Sequence, residues 1–234
     1  MNDLVKSFYE AWNLIFSFDP EIYGIILLTL KVTLLSSGIA ALLGVPAGII
    51  VGSRNFFGKG LIVRLVHTFM GLPPVVAGLV TYIFLSRKGP LGSLNLLFTP
   101  TAMVIAQMLI VFPIIMGLSI SAVKLKYKVV EETCMGLGLS RVHTLRLLLH
   151  ECRYPILSAV LAGYGRAIAE VGAVMLVGGN IQYHTRVITT AIMLETGKGN
   201  YDKALALGIV LITMSFIINA IMYRIQEEKR EKNR

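Results

Sequence analysis

Apolar residues gather into five long stretches, roughly Ile22–Gly52, Leu65–Ser86, Thr101–Val123, Ile156–Ile181 and Ala204–Tyr223. About 20 apolar residues of helix cross the hydrocarbon core of a bilayer, so each stretch predicts a membrane-spanning helix. The longest charge-free run, Gly89 to Val123, covers 35 residues and is followed at once by Lys124, Lys126, Lys128, Glu131 and Glu132. That junction predicts a structured loop at about 124–153, in which Leu145, Leu148 and Leu149 give a helix an apolar face. Glu131 and Glu132 suit a helix amino terminus, and Gly136 and Gly138 loosen the segment or admit close contact. Residues 1–20 carry Asp3, Glu10 and Asp19 against one Lys6. They lack the basic start of a signal peptide and predict a short amphipathic helix ending at Asp19–Pro20.

Of the 234 residues, 55% are hydrophobic and only 15% charged, with mean hydropathy +0.73 and net charge +9. The fold class is therefore an all-α polytopic membrane protein of about five transmembrane helices plus an amino-terminal amphipathic helix. The positive charges are strung along loops between spans, so they orient the chain in the bilayer and do not form a nucleic-acid surface. With the carboxyl tail inside, the inner segments hold fourteen of the 22 Lys and Arg residues and the outer ones six. The amino terminus is accordingly expected outside, and a basic tail over 224–234 in the cytoplasm. Cys134 and Cys152 fall in the inner loop, where thiols stay reduced, and are read as small semi-buried hydrophobes.

Three features within the spans carry candidate chemistry. Ala40, Gly44, Gly48 and Gly52 recur every four residues, a spacing that opens a groove for a second backbone, within the bundle or across a dimer. Pro46 is expected to kink that helix. Gly71-Leu72-Pro73-Pro74 removes two backbone donors near the start of the second span. Such irregular backbone is tolerated at membrane depth only where protein buries it or a cavity wets it, so it is either a pathway or gate element or a structural kink. Arg166 and Glu170 stand four residues apart, on one helix face of the fourth span, either a self-neutralising pair or a site where Arg166 lends positive potential to an anion and Glu170 orients it.

Other chemistry is excluded. Gly52 to Gly60 imitates a phosphate loop, but five residues separate Gly52 from Gly58 and Gly60 stands where a magnesium-binding Ser or Thr is required. His67, His143, His150 and His184 lack ligand spacing for a metal. No catalytic triad or carboxylate pair stands out, and the chain is not expected to hydrolyse ATP.

From Glu131 the loop resembles the coupling loop of ABC importer permeases. Glu132, Thr133, Cys134 and Gly138 occupy the motif's opening, with its two alanines replaced, and Leu149-His150-Glu151 stands near the motif's usual Leu-Pro. A wider resemblance covers nearly the whole chain and is to the tungstate branch of the molybdate/sulfate/tungstate permeases. Five blocks carry it in order: Gly71–Gly78, Phe98–Met103, Gly165–Val174, Gly178–Asn180 and Thr189–Thr196. This resemblance implies a type I ABC importer permease over 21–223, located in the cell membrane and working as a pair of identical chains. It implies a transport subunit that is not an enzyme and binds no cofactor of its own, and a coupling loop, with Glu131, Glu132, Cys134, Gly136, Gly138 and Ser140, that docks a separate ATPase subunit carrying ATP and magnesium. It also implies an extracytoplasmic binding protein delivering the oxyanion to the outer face. Molybdate or sulfate are alternative cargoes. An ion-coupled secondary transporter is the alternative mechanism, although the two halves show no inverted repeat; a membrane scaffold that transports nothing fits poorly with Pro73-Pro74 and the charged pair.

Overall fold

The computed structural model describes residues 9, 12, 13 and 20–231, with the side chains of 222 and 225–231 left aside. The expected amino-terminal helix over 1–20 lies almost wholly outside the described residues. The described residues are helical without strands: α1 (Pro20–Ser53), α2 (Lys59–Met70), α3 (Pro74–Leu85), a short 3-10 turn (Gly92–Leu94), α4 (Pro100–Gly136), α5 (Arg141–Ile168), α6 (Gly172–Gly178), α7 (Ile188–Gly197) and α8 (Tyr201–Glu231). Helices α1, α4 and α8 are each long and apolar enough to cross a membrane alone, while α2 with α3 and α5 with α6 pass that test only as broken pairs.

The second and fourth spans are therefore not continuous helices. Chain geometry explains the first break: Pro74 occupies the first position of α3, where its missing N–H costs nothing, and holds Pro73 extended at φ −60°, ψ 129°. In the third span nothing breaks the helix once the charges begin. Lys124 to Cys134 are competent helix formers without Gly or Pro, so α4 runs on to Gly136. Glu131 and Glu132 consequently lie near the carboxyl end of α4, not at an amino terminus as the sequence reading had it. Helix α5 starts at Arg141, well before the expected span, and α8 continues past Tyr223 into the predicted tail. Helix α7 is an element that the apolar pattern did not predict.

The chain divides into two compact units. Unit 2 comprises Ser37–Leu72 and Met108–Tyr164. Here the small-residue stripe of α1 meets α4: a β-carbon on Gly48 would stand 2.6 Å from Ser119 Cβ and 2.9 Å from the Met116 carbonyl oxygen, and one on Gly52 2.8 Å from Val123 Cβ. The stripe thus serves contact within the chain. Farther along, Ile49, Val123, Val130, Cys134, Leu148 and Cys152 form one buried cluster, with both thiols fully enclosed as small hydrophobes.

Unit 1 comprises Met1–Ser36, Pro73–Gln107 and Gly165–Arg234. Ile22, Ile25, Ile188, Ala191, Leu207 and Val210 bury the faces of α1, α7 and α8 against one another. Helix α3 packs tightly on α6, where a β-carbon on Gly78 would approach Ala173 Cα to 2.7 Å. The first turn of α7 is tied to α1 by Thr29, whose hydroxyl accepts the Ile188 N–H at 3.0 Å. At the other end of α7, Asn200 and Lys198 bond the buried Glu195 carboxylate at 2.9 Å each and hold it below the ordinary carboxylate range.

Candidate functional site

Unit 1 places the charged pair at a break in the helix. Helix α5 ends at Ile168 and α6 begins at Gly172, so Arg166 and Glu170 do not share a helix face as their spacing had implied. They nevertheless pair, Arg166 Nη1 to Glu170 Oε2 at 3.1 Å. The pair is lopsided: the Glu170 side chain is 2% exposed, the Arg166 side chain 34%. Glu170 has a second task, since its Oε1 accepts the Ala173 N–H at 3.0 Å in the first turn of α6. The carboxylate therefore caps α6 and neutralises Arg166, whose guanidinium stays partly exposed.

The two breaks in unit 1 adjoin. A β-carbon on Gly172 would lie 3.2 Å from Val75 Cγ2 and 3.9 Å from the Val75 nitrogen, directly after Pro73 and Pro74. The irregular backbone at Pro73–Pro74 and that at Ala169–Val171 are thus neighbours, each at the start of a helix. Gly71 belongs to unit 2 and closes α2, its N–H donating to the Thr68 carbonyl at 3.1 Å.

The freed backbone is satisfied by buried polar side chains that the sequence reading passed over. Thr189 donates to the Glu170 carbonyl at 2.9 Å, and Gln107 donates to the Ala167 carbonyl at 3.1 Å. A lone Gln inside a charge-free span was the available signal, because an amide is costly to bury without partners.

Unit 2 shapes the predicted coupling loop as a helix–turn–helix. Helix α4 closes in a Schellman motif: Leu139 N–H donates to the Cys134 carbonyl at 2.8 Å and Gly138 N–H to the Met135 carbonyl at 3.0 Å. Gly138 sits at φ +66°, the left-handed region a side chain disfavours, which is the physical reason for a glycine there. Neither Gly138 nor Gly136 is glycine because of a close contact within the chain: a β-carbon at either would have no atom within 4 Å. Ser140 precedes α5, and its hydroxyl lies 2.9 Å from His143 Nδ1. Glu132 pairs with Lys128 at 3.9 Å, and Glu131 accepts the Tyr127 hydroxyl at 2.6 Å. Around the turn Met135, Leu137, Leu139 and Val142 are all exposed, an apolar patch among charges.

The chain is similar to known proteins over nearly its whole length. The tungstate uptake system permease protein TupB of Peptoclostridium acidaminophilum is 44% identical over 228 residues, 97% of this chain and all of that protein. TupB of Campylobacter jejuni is 37% identical over 95% of this chain and 93% of its own length. A probable anion ABC transporter permease protein of Haloferax volcanii is 39% identical over 88% and 90% respectively. The profile of the binding-protein-dependent transport system inner membrane components matches residues 44–231. That membership sets aside the ion-coupled carrier and the inert scaffold as readings of the chain. This chain belongs to the binding-protein-dependent transport system inner membrane components, and is a multi-pass permease subunit of an ABC importer, not an enzyme.

Proposed function

We propose that the chain imports a tetrahedral oxyanion, tungstate, as the membrane subunit of an ATP-driven complex. The observation that carries the anion reading is Arg166, an intramembrane cation a third exposed and fixed at a helix break beside a second break. A dianion leaving water needs positive charge or aligned donors along a low-dielectric route, and a guanidinium presents several N–H groups to tetrahedral oxygens. The choice of tungstate rests on the relatives named for its uptake. Molybdate and sulfate have the same shape and charge, so discrimination among them belongs to the protein that delivers the cargo.

Two copies of the chain form the pore in this reading, with a binding protein outside. The 137–140 turn docks a separate ATPase, where ATP and magnesium are bound, and the exposed apolar patch is the surface that subunit covers. Gly136 offers a clean probe of that docking, because its β-carbon would be free of intrachain contact and its backbone is helical. Gly136→Trp is expected to leave insertion and thermal midpoint unchanged, yet to reduce co-purification of the ATPase at least tenfold. Undiminished co-purification would remove the turn as the docking element. Gly138→Ala, by contrast, forces a side chain into the left-handed region at about 1–2 kcal/mol; Gly138→Asn, better tolerated there, is expected to retain more of the complex.

Orientation is tested separately. Ser93 and Asn55 are both exposed. A cysteine at Ser93 is expected to react with an impermeant maleimide on intact cells, and one at Asn55 only after the membrane is opened. The opposite pattern inverts the chain and places the 137–140 turn outside, away from any ATPase.

A further inference from the structure

We infer that Gln107 is the positioning residue for Arg166, acting through the backbone of the helix break without itself touching the anion. This inference rests on the proposed role of Arg166 in the anion path.

Gln107 is 4% exposed, in the first third of α4 and inside the chain's longest charge-free run. Its amide is satisfied at both ends by different elements. Ser36 Oγ on α1 donates to Gln107 Oε1 at 2.7 Å, and Gln107 Nε2 donates to the Ala167 carbonyl at 3.1 Å. Ala167 directly follows Arg166. An α-helix would offer its carbonyl the N–H of Val171, four residues on, but α5 has ended by then. A turn bond from the Glu170 N–H at 3.1 Å and the Gln107 amide take that place. The other end of the segment is held alike, by Thr189 on the Glu170 carbonyl at 2.9 Å, and Thr189 is 5% exposed.

The Arg166–Glu170 segment is therefore clamped between two buried side-chain donors, with the ion pair spanning the gap. A break without a clamp could settle in several turn geometries, because helix ends carry orphan carbonyls that accept alternative bonds. The clamp selects one, and with it the place of the guanidinium. Gln107 ties that place to α1 as well, through Ser36, whose single hydroxyl proton is shared between Gln107 Oε1 and the Thr33 carbonyl 3.0 Å away. A residue needed only for bulk at this point would be apolar; an amide bonded at both ends carries geometry.

The test uses the full complex of permease, ATPase and binding protein in proteoliposomes, with tungstate uptake measured over a range of loaded binding protein and normalised to assembled complex. Gln107→Met keeps length and burial but removes both bonds. It is expected to cut uptake about tenfold at sub-saturating cargo, and at most threefold at saturation. In an Arg166→Lys background, which keeps the charge and discards the fork geometry, adding Gln107→Met is expected to change uptake less than twofold further. A full tenfold additional loss there would overturn the inference and leave Gln107 a packing residue. Wild-type uptake by Gln107→Met beside an impaired Arg166→Lys would overturn it too, with the role of Arg166 intact. Wild-type uptake by Arg166→Lys and by Arg166→Gln would mean that the anion-path reading itself is wrong. If Gln107→Met does not assemble, Ser36→Ala releases the other end of the amide with little change in volume; a loss of about threefold at sub-saturating cargo, absent in the Arg166→Lys background, supports the inference, and wild-type uptake by Ser36→Ala contradicts it.

Discussion

The double variant Arg166→Gln with Glu170→Gln is expected to insert, bind its ATPase and hydrolyse ATP, while losing more than nine-tenths of oxyanion uptake. Two single changes frame this expectation. Arg166→Ala leaves the Glu170 carboxylate 2% exposed without its cation, and stranding one partner of such a pair costs about 3 kcal/mol or more, so protein is lost along with transport. Glu170→Leu alone leaves Arg166 without its carboxylate and removes the acceptor of the Ala173 N–H, so α6 loses a cap worth about 1 kcal/mol. Glutamine at 170 keeps an oxygen for that N–H, and glutamine at 166 removes the cation without stranding a carboxylate. The double variant therefore separates structure from potential. Uptake per assembled complex is the measurement, and full uptake would leave the pair with a structural role alone.

Gly48→Leu is expected to damage the fold at the α1–α4 seam. A β-carbon there already falls 2.6 Å from Ser119 Cβ and 2.9 Å from the Met116 carbonyl oxygen. Because one of those atoms is backbone, the helices must separate, and overpacking of this kind costs about 1–3 kcal/mol. Gly44→Leu should cost less, since its nearest atoms stand at 3.4 Å. Thermal midpoints in detergent decide the matter: Gly48→Leu should melt well below wild type, or fail to accumulate, with Gly44→Leu between them. Equal midpoints for all three would mean that α1 and α4 do not meet along this stripe.

Some of this was legible along the chain because it depends on composition and short-range spacing. Five apolar stretches marked the spans, two of them broken, and glycines four apart marked the face of α1 that meets a second helix, though not which one. Pro73-Pro74 marked a break at the residue where it occurs, since a proline acts on its own backbone and on its neighbour. The second break was hidden: Arg166 to Val171 contains no proline, and the turn there is held by Gln107 and Thr189, distant in sequence. Residue spacing therefore put Arg166 and Glu170 on one helix face, whereas they meet across a turn. The extent of α4 was hidden for a different reason. Hydropathy falls where the charges begin, but helix propensity does not, so the membrane boundary and the helix end differ by more than ten residues. Gly138 stands at φ +66°, a backbone conformation that cannot be read from residue types alone.

The central claim is that this chain conducts a tetrahedral oxyanion when a separate ATPase hydrolyses ATP. The most direct measurement is tungstate accumulation in proteoliposomes holding the chain with its ATPase, with the loaded binding protein on the side that reacts at Ser93→Cys and ATP on the other. Accumulation that requires ATP, the ATPase and the binding protein together, and that persists after ion gradients are collapsed, is the predicted result. Accumulation driven by an ion gradient without ATP, or none with all components assembled and hydrolysing, would contradict it.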